Sequence, residues 1–255
     1  MSESGVDWAE YAFSFVCGCI HNCSYPCWAM KYALRYGWIK HPSEWVKPKL
    51  FKTNEQRLRR LLKKPPGRVF FQEYGDAYQR VPWIQEKARH YLRRLLSSRH
   101  TILILTKSPD VRKDYDLISR YKNVEVGFTI TSLERNPYEL GAPHPKERIN
   151  ALIEAKEEYN IKTFVSWEPW IPGYDPIEGV RELADYVDFW IFGSLNINRK
   201  PRFPHYYRRE LPKLLRFLQV RKIKYMIKEE LASCLTKCPG DYVRQLDTRV
   251  KECVE

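Results

Sequence analysis

The chain has 255 residues, 44% of them hydrophobic and 14% aromatic. This composition is typical of one ordered globular domain and excludes a low-complexity or disordered protein. Lys and Arg number 44 against 31 Asp and Glu, and a net charge of +13 attracts polyanions such as nucleic acid. A heat-adapted surface is the alternative, although it usually raises Glu together with Lys. No signal-peptide pattern opens the chain and no run of about 18 apolar residues is present, so we expect a cytoplasmic protein without membrane contact.

The first elements in the chain are a strand and a helix, followed by an insertion. The residue pattern predicts a strand over Ala12 to Val16 and a helix from about Ser24 to Tyr36. Residues 38–67 lack a strand pattern, and we interpret them as an insertion. Within it, Asn54 to Lys64 carries leucines at helical spacing among Lys and Arg, which predicts either a solvated basic helix or a nucleic-acid contact.

From about residue 68 onward, β-branched or aromatic runs alternate with amphipathic stretches, which is typical of repeated βα units. The predicted strands are Arg68 to Gln72, Thr101 to Thr106, Val124 to Thr129, Lys162 to Ser166, Asp188 to Phe192 and Ile223 to Ile227. The predicted helices are Pro82 to Ser98, Asp110 to Tyr121, Pro145 to Tyr159, Pro176 to Tyr186 and His205 to Val220. Together with the first strand they make six or seven βα units. The predicted fold is therefore α/β, a partial (β/α)6 barrel of the TIM-like kind, over residues 1–232.

The end of the chain is interpreted as a separate appendage, residues 233–255. It contains Cys234, Cys238 and Cys253. We favour the interpretation that these three are free thiols that bind no metal or cluster. An auxiliary iron-sulfur cluster, or a zinc site completed by a fourth group, remains the alternative.

Four cysteines fall within eleven residues directly after the first predicted strand: Cys17, Cys19, Cys23 and Cys27. Such density allows their thiolates to converge on one metal centre. Zinc ligands usually come as paired C-x-x-C units in two separated halves, and that pairing is absent. Three thiolates on a [4Fe-4S] cluster leave one iron open to an exogenous ligand. The spacing therefore favours an iron-sulfur cluster.

The segment from Gly18 to Ala29, GCIHNCSYPCWA, resembles the cluster loop of radical S-adenosylmethionine (SAM) enzymes related to spore photoproduct lyase. Their pattern is G-C-x-H-x-C-x-Y-C-Y-A. One inserted residue, Pro26, changes the usual C-x3-C-x2-C to C-x3-C-x3-C, so Cys17 is an alternative ligand. Further segments are similar to that family in the same order: TILILTKSP from Thr101, VEVGFTITS from Val124, GAPHPKER from Gly141, FVSWEPWIPG from Phe164 and WIFG from Trp190.

The resemblance extends from about Cys17 to Ile227. Residues 72–76, QEYGD, and the last strand with Lys228 also resemble phage-type radical SAM proteins. The resemblance implies a partial barrel of the radical SAM type. It also implies reductive cleavage of SAM to a 5′-deoxyadenosyl radical, which abstracts hydrogen from a substrate. An electron donor such as ferredoxin or flavodoxin is implied as a partner.

The resemblance also implies roles for individual residues. Cys19, Cys23 and Cys27 would hold the cluster. The residues implied to contact SAM are Tyr25, Gly75, Asp76, Lys107 and Thr129. The implied catalytic residues are Glu168, at the end of the fifth strand, and Tyr74, close to where spore photoproduct lyase carries its hydrogen-donor cysteine.

Structural alternatives stand beside these roles. Asp76 could form a turn or cap, Lys107 could be a solvated surface residue, and Thr129 could serve β-propensity alone. Glu168 could be an ion-pair partner. His21 is expected to be a hydrogen-bonding loop residue and not a ligand.

A stretch after the sixth strand, Arg199 to Arg209, interleaves cations with aromatic rings. Such mixtures neutralise phosphates while rings stack on bases, so nucleic acid is the candidate substrate. The structural alternative is a basic helix start with buried tyrosines. For the whole chain, the alternative function is a non-catalytic nucleic-acid-binding protein with a structural zinc or iron-sulfur site.

Overall fold

The computed structural model describes residues 4–235. Seven parallel strands form one sheet in which spatial neighbours follow one another in chain order. Strands β1 to β7 span Tyr11–Phe13, Arg68–Phe71, Thr101–Thr106, Val124–Thr129, Lys162–Trp170, Phe189–Ser194 and Tyr225–Ile227. The curled, open sheet confirms the predicted partial TIM-like barrel, with β1 and β7 at its two edges.

The connections between strands are mostly helical. Helices α1 to α8 span Trp28–Arg35, Asn54–Leu62, Pro82–Leu96, Tyr115–Ile118, Pro145–Glu157, Pro176–Leu183, Pro204–Val220 and Glu229–Ala232. Proline lies in the first turn of α3, α5, α6 and α7, where its missing N–H costs no intrahelical hydrogen bond. Turns of 3-10 helix span Pro42–Glu44, Pro109–Asp114 and Ala184–Tyr186.

The first strand is shorter than predicted. β1 ends at Phe13, whereas the prediction ran to Val16. The side-chain oxygen of Gln72 accepts hydrogen bonds from the amides of Phe15 at 3.0 Å and Val16 at 3.3 Å. These two amides are therefore not available to the neighbouring strand, and the chain leaves the sheet.

Two further predictions differ from the structure. The insertion contains a two-residue strand, Lys49–Leu50, which pairs antiparallel with Val16–Cys17. The helix predicted over Asp110 to Tyr121 is mostly 3-10 helix followed by the single turn of α4. Arg89 donates to the carbonyl oxygen of Lys113 at 2.8 Å, at the point where the helix type changes.

Two apolar layers hold the barrel together. The larger lies between the sheet and the surrounding helices. The smaller fills the inside of the barrel and consists of Trp8, Ala12, Phe70, Leu103, Phe164, Ile191 and Met226. The Trp8 ring lies 4.6 Å from that of Phe70 and 5.9 Å from that of Phe164. This layer fills the lumen with side chains, so polar chemistry is left to the strand ends.

The appendage is described only at its start. Cys234 is buried in the main core, and Cys238 and Cys253 lie outside the described residues. The division at residue 233 stays a prediction. Within residues 4–235 no helix has the length and apolar character that crossing a membrane requires.

Candidate functional site

The cysteine loop is fixed to the loop that follows β2 by backbone contacts. Gly18 and Gly75 form a parallel bridge, and the Gly18 amide donates to the Tyr74 carbonyl at 3.1 Å. Gly75 has φ +151°, and a Cβ on it would lie 2.4 Å from the Gly18 carbonyl oxygen. Only glycine fits this approach. The same holds for Gly141, where a Cβ would lie 2.3 Å from the His21 carbonyl oxygen.

Three cysteines of this loop act on one another electrostatically. Cys19, Cys23 and Cys27 are free thiols of intermediate exposure. Burial raises the pKa of Cys19 well above its usual value, and Cys23 and Cys27 add to the rise. Burial also raises the pKa of Cys27, again with a contribution from Cys23. The three thiols are therefore near enough to influence one another's ionisation.

Cys17 is buried, whereas the other three thiols are of intermediate exposure. It lies in an apolar cluster with Ala29, Ala33, Ile39 and Trp45, and Cys19 and Cys27 pack against the same cluster. Burial raises the pKa of its thiol to about 11, opposed by Lys49. None of the other three thiols contributes to this change in the pKa of Cys17. Its role as an alternative ligand therefore stays a prediction.

A set of three thiols suits the chemistry of an iron-sulfur cluster. Within residues 4–235 no three His, Cys, Asp or Glu side chains lie close enough together to hold one metal ion. A four-iron cluster is larger and spreads its thiolate ligands more widely than one ion does. Three free thiols and no carboxylate or imidazole in the set agree with that chemistry.

Asp76 joins three parts of the site, and donors from the protein occupy both of its carboxylate oxygens. Its Oδ2 accepts from His21 Nε2 at 2.9 Å and from the Lys107 amide at 2.8 Å. Its Oδ1 accepts from the Thr106 hydroxyl at 2.7 Å and the Tyr78 amide at 2.8 Å. A contact of this carboxylate with SAM would have to displace one of these donors. The expectation that His21 is a hydrogen-bonding loop residue is confirmed.

These hydrogen bonds also set the ionisation of Asp76. Burial by itself raises the pKa of the carboxyl group. The hydrogen bond and charge of His21, together with the Thr106 hydroxyl and the Lys107 amide, outweigh burial and lower the pKa to about 2. The group is therefore charged and ties the cysteine loop to the ends of β2 and β3.

A second junction surrounds Glu139, a residue that the sequence did not single out. Its Oε1 accepts from the Tyr25 hydroxyl at 2.8 Å, and its Oε2 accepts from Arg148 Nη1 at 2.6 Å. Arg148 is fully buried and donates further to the carbonyl oxygens of Thr129 and Pro143. Arg148 belongs to the GAPHPKER segment, which therefore joins α5, the end of β4 and the cysteine loop.

Lys107 lies between this junction and the thiols. Its Nζ is 3.8 Å from Glu139 Oε1 and 5.7 Å from the centre of the Tyr25 ring. Burial opposes its charge, but Glu139 outweighs burial and raises the pKa of Lys107, helped by Cys23 and Cys19. The predicted solvated alternative does not apply, because the side chain is mostly buried. The ammonium is therefore near enough to Cys19 and Cys23 to interact with them electrostatically.

The remaining predicted residues lie at other strand ends. Thr129 is buried at the end of β4. Glu168 accepts from the Ser166 hydroxyl at 2.9 Å and pairs with Lys228 Nζ at 3.1 Å. A Cβ on Gly193 would lie 2.4 Å from Glu168 Oε1, so this glycine makes room for the pair. Glu168 is thus an ion-pair partner, which was the structural alternative.

Tyr74 is half buried among aromatic rings of α1 and the insertion. Its ring centre lies 4.7 Å from that of Trp38 and 5.9 Å from that of Trp28. Burial and Glu73 raise the pKa of its phenol. Its backbone touches the cysteine loop, as described above, while its ring packs with the aromatic side chains.

Of the residues that sequence reasoning missed, Arg148 carried a usable signal. In α5 it lies on the buried face together with Leu152 and Ala155, at helical spacing. An arginine on the apolar face of a helix indicates a buried partner. Glu139 had no such signal, because it lies in an irregular segment between β4 and α5.

Comparison with known proteins gives two sequence relatives, both uncharacterized. No family model matches the chain. The uncharacterized protein MJ0683 of Methanocaldococcus jannaschii is 30% identical over 210 residues, which are 80% of this chain and 77% of the relative. The uncharacterized protein ORF301 of Acidianus two-tailed virus is 29% identical over 204 residues, which are 72% of this chain and 66% of the relative.

Among solved structures, the chain is similar to spore photoproduct lyase complexed with dinucleoside spore photoproduct. The TM-score is 0.53 at 17% identity, over 74% of this chain and 57% of that chain. A mutant of the lyase with bound AdoMet and dinucleoside spore photoproduct gives a TM-score of 0.52 at 18% identity, over 73% and 56%. This chain therefore spans little more than half of the lyase. At this identity the likeness shows the fold, a partial barrel of the radical SAM type.

Proposed function

The chain belongs to the family of the uncharacterized protein MJ0683, and from its site we propose that it is a radical SAM enzyme. The main support is the presence of three free thiols, Cys19, Cys23 and Cys27, on one loop after the first strand of a barrel of the radical SAM type. In spore photoproduct lyase the same fold is seen with bound AdoMet. A parallel barrel builds its sites at this end of its strands.

We assign the cluster to Cys19, Cys23 and Cys27, and leave Cys17 in its apolar cluster. When bound, the cluster and SAM supply one-electron cleavage of SAM, which gives methionine and a 5′-deoxyadenosyl radical. The electron would come from a ferredoxin or flavodoxin. The work of the chain is then to orient SAM, to exclude water and to present a substrate.

Several side chains suit the orientation of SAM. The Lys107 ammonium can pair with the SAM carboxylate, because Glu139 raises its pKa and keeps it charged, and their 3.8 Å separation leaves it hydrogen-bonding capacity. Tyr25 and the glycine at position 75 would contact the adenosine portion, and Thr129 would add a hydroxyl nearby. Asp76 contributes chiefly by holding His21 and the Lys107 backbone in place.

For the substrate side, we propose Glu168 and Tyr74. The Glu168–Lys228 pair lies at the ends of β5 and β7 and keeps one cation and one anion facing the mouth of the barrel. Tyr74 is the candidate for hydrogen-atom relay, at the position close to the lyase's donor cysteine. The lyase structure contains a dinucleoside substrate, and the +13 charge of this chain suits a nucleic acid.

Anaerobic reconstitution with iron and sulfide tests the proposal. The full chain should hold about four irons and form 5′-deoxyadenosine from SAM after reduction. Single Ser substitutions at Cys19, Cys23 and Cys27 should each remove cleavage and lower the iron content. Cys17→Ser and Cys234→Ser are matched controls, because both thiols are buried in apolar surroundings.

A protein that binds one zinc and no iron would overturn the proposal in favour of a non-catalytic nucleic-acid-binding protein. Retention of full cleavage by Cys27→Ser together with its loss in Cys17→Ser would transfer a ligand role to Cys17. Both results are detected by measuring metal content together with SAM cleavage.

A further inference from the structure

Helix α1 carries a row of aromatic side chains on its outer face. Trp28, Tyr32 and Tyr36 follow at four-residue spacing, and successive ring centres lie 5.7 Å and 5.8 Å apart. The adjacent face buries Ala29 and Ala33 in the apolar cluster of Cys17. Burial therefore explains the small residues of α1 and leaves the aromatic row unexplained.

Two residues from other segments close this row into a ring. Trp38 lies 5.1 Å from Tyr36 and 4.7 Å from Tyr74, and Tyr74 lies 5.9 Å from Trp28. We call these five side chains, Trp28, Tyr32, Tyr36, Trp38 and Tyr74, the aromatic ring surface. Trp28 is 39% exposed, Tyr36 48% and Trp38 37%. Contiguous exposed aromatics of this kind mark binding surfaces.

The surroundings of this surface are strongly cationic. Residues 28–64 contain eleven Lys and Arg against two Glu. Both acids are already paired within the part of the chain that the structure describes: Glu44 with Lys49 and Glu55 with Arg94. Lys31 and Arg35 are exposed on α1 itself. Most of the net charge of the chain thus belongs to the segment that carries four of the five rings.

Rings and cations together favour one kind of occupant. Single-stranded nucleic acid offers unpaired bases with π-faces and a phosphate at every step, and proteins bind it by stacking bases on aromatic side chains in a basic groove. A duplex keeps its bases stacked inside. An acidic protein would use the cations but has no need of the exposed ring faces.

We propose that the aromatic ring surface binds single-stranded nucleic acid by base stacking, with Lys31 and Arg35 neutralising phosphates. The surface adjoins the cysteine loop, because Trp28 follows Cys27 directly and Tyr74 precedes the Gly18–Gly75 bridge. A strand bound there lies next to the mouth of the barrel. Its use as a substrate rests on the proposed function, whereas its binding does not.

Fluorescence anisotropy with a labelled oligothymidylate of about 12 nucleotides tests this on the full, reconstituted chain. Trp38→Ala and Tyr36→Ala should each weaken binding about tenfold or more, since loss of one stacked base has that effect. Trp83→Ala is the matched control, because Trp83 is 38% exposed on α3 and belongs to no part of the surface. It should change the affinity less than twofold. All three positions are exposed, so thermal midpoints should stay close to that of the unchanged protein.

The proposed contacts with phosphates are tested separately, by the salt dependence of the affinity. Lys31→Gln and Arg35→Gln should each reduce the slope of log affinity against log salt by about 0.7. Tryptophan fluorescence should fall on binding, because stacked bases quench it, and Trp38→Ala should remove part of that change.

Two results would overturn the inference. The first is equal affinity of Trp38→Ala, Tyr36→Ala and the unchanged chain for the oligonucleotide. The second is equal competition by polyglutamate of the same charge, which would indicate a surface for an acidic protein such as an electron donor. Cleavage of SAM without nucleic acid is assayed in parallel. Loss of cleavage with intact binding contradicts only the proposed function, and intact cleavage without stacking contradicts only this inference.

Discussion

The Arg148–Glu139 pair and the Lys228–Glu168 pair both lie near strand ends. They differ in their exposure to solvent and in the number of hydrogen bonds that the rest of the protein makes to them. Arg148 and Glu139 side chains are 0% and 3% exposed. Arg148 has three further hydrogen bonds to carbonyl oxygens, and Glu139 also binds Tyr25. Lys228 and Glu168 side chains are 18% and 20% exposed. Of the two, only the second pair retains access from outside.

The difference separates structural from ligand-facing polar groups. A buried charge whose hydrogen-bonding capacity is filled by protein can hold elements together, but it has nothing left for a ligand. Asp76 belongs with the Arg148 pair by this criterion, since four protein donors occupy its two oxygens. Residue type alone would have placed Asp76 and Glu168 in the same class.

The largest expected effect comes from breaking the buried pair. Arg148→Met should lower the free energy of unfolding by about 3–5 kcal/mol, because it leaves Glu139 charged and buried without its main partner. Urea denaturation at neutral pH measures this. Arg148→Met combined with Glu139→Gln should recover part of the loss, since the uncompensated charge is gone. A loss below about 1 kcal/mol in the single variant would mean that the pair does not hold α5 to the cysteine loop.

The next effect is a dependence of stability on pH through Asp76. Its pKa in the folded protein is about 2, below the ordinary value of 3.8. Its contribution is therefore complete above about pH 4 and is lost as the pH falls toward 2. The expected size is about 2 kcal/mol, from 1.36 kcal/mol per pKa unit.

Comparison with Asp76→Asn isolates this contribution. The difference in unfolding free energy between the unchanged chain and the variant should shrink as the pH is lowered from 5 to about 2.5. A difference that stays constant over this range would show that Asp76 titrates normally and that its hydrogen bonds carry little energy.

The smallest effect on stability is expected for the accessible pair. Lys228→Met should lower the free energy of unfolding by less than Arg148→Met does, because the Lys228 and Glu168 side chains keep 18% and 20% exposure and solvent partly screens their pairing. If the pair faces a substrate, turnover of that substrate should fall while cleavage of SAM alone continues. A stability loss as large as that of Arg148→Met would remove the contrast between the two pairs.

Features that depend on neighbouring residues were predicted correctly, whereas features that depend on residues distant in the sequence were missed. The strands Thr101 to Thr106 and Val124 to Thr129 were predicted with the bounds that the structure has, because apolar runs flanked by turn residues are local signals. The first strand failed because its amides bind the side chain of Gln72, which is distant in sequence. Glu139 was missed for the same reason, since its partners Tyr25, Lys107 and Arg148 all lie on other segments.

What the sequence by itself determined is the alternation of strands and helices, the fold class and the crowding of thiols in one loop, because all of these depend on residues that are neighbours in the chain. The tertiary structure decided which polar groups are already satisfied and which remain accessible. It also decided that Cys17 lies in an apolar cluster and that α1 joins a surface of exposed rings. Hydrogen-bond satisfaction and exposure depend on contacts between distant segments, and a linear pattern contains no record of those contacts.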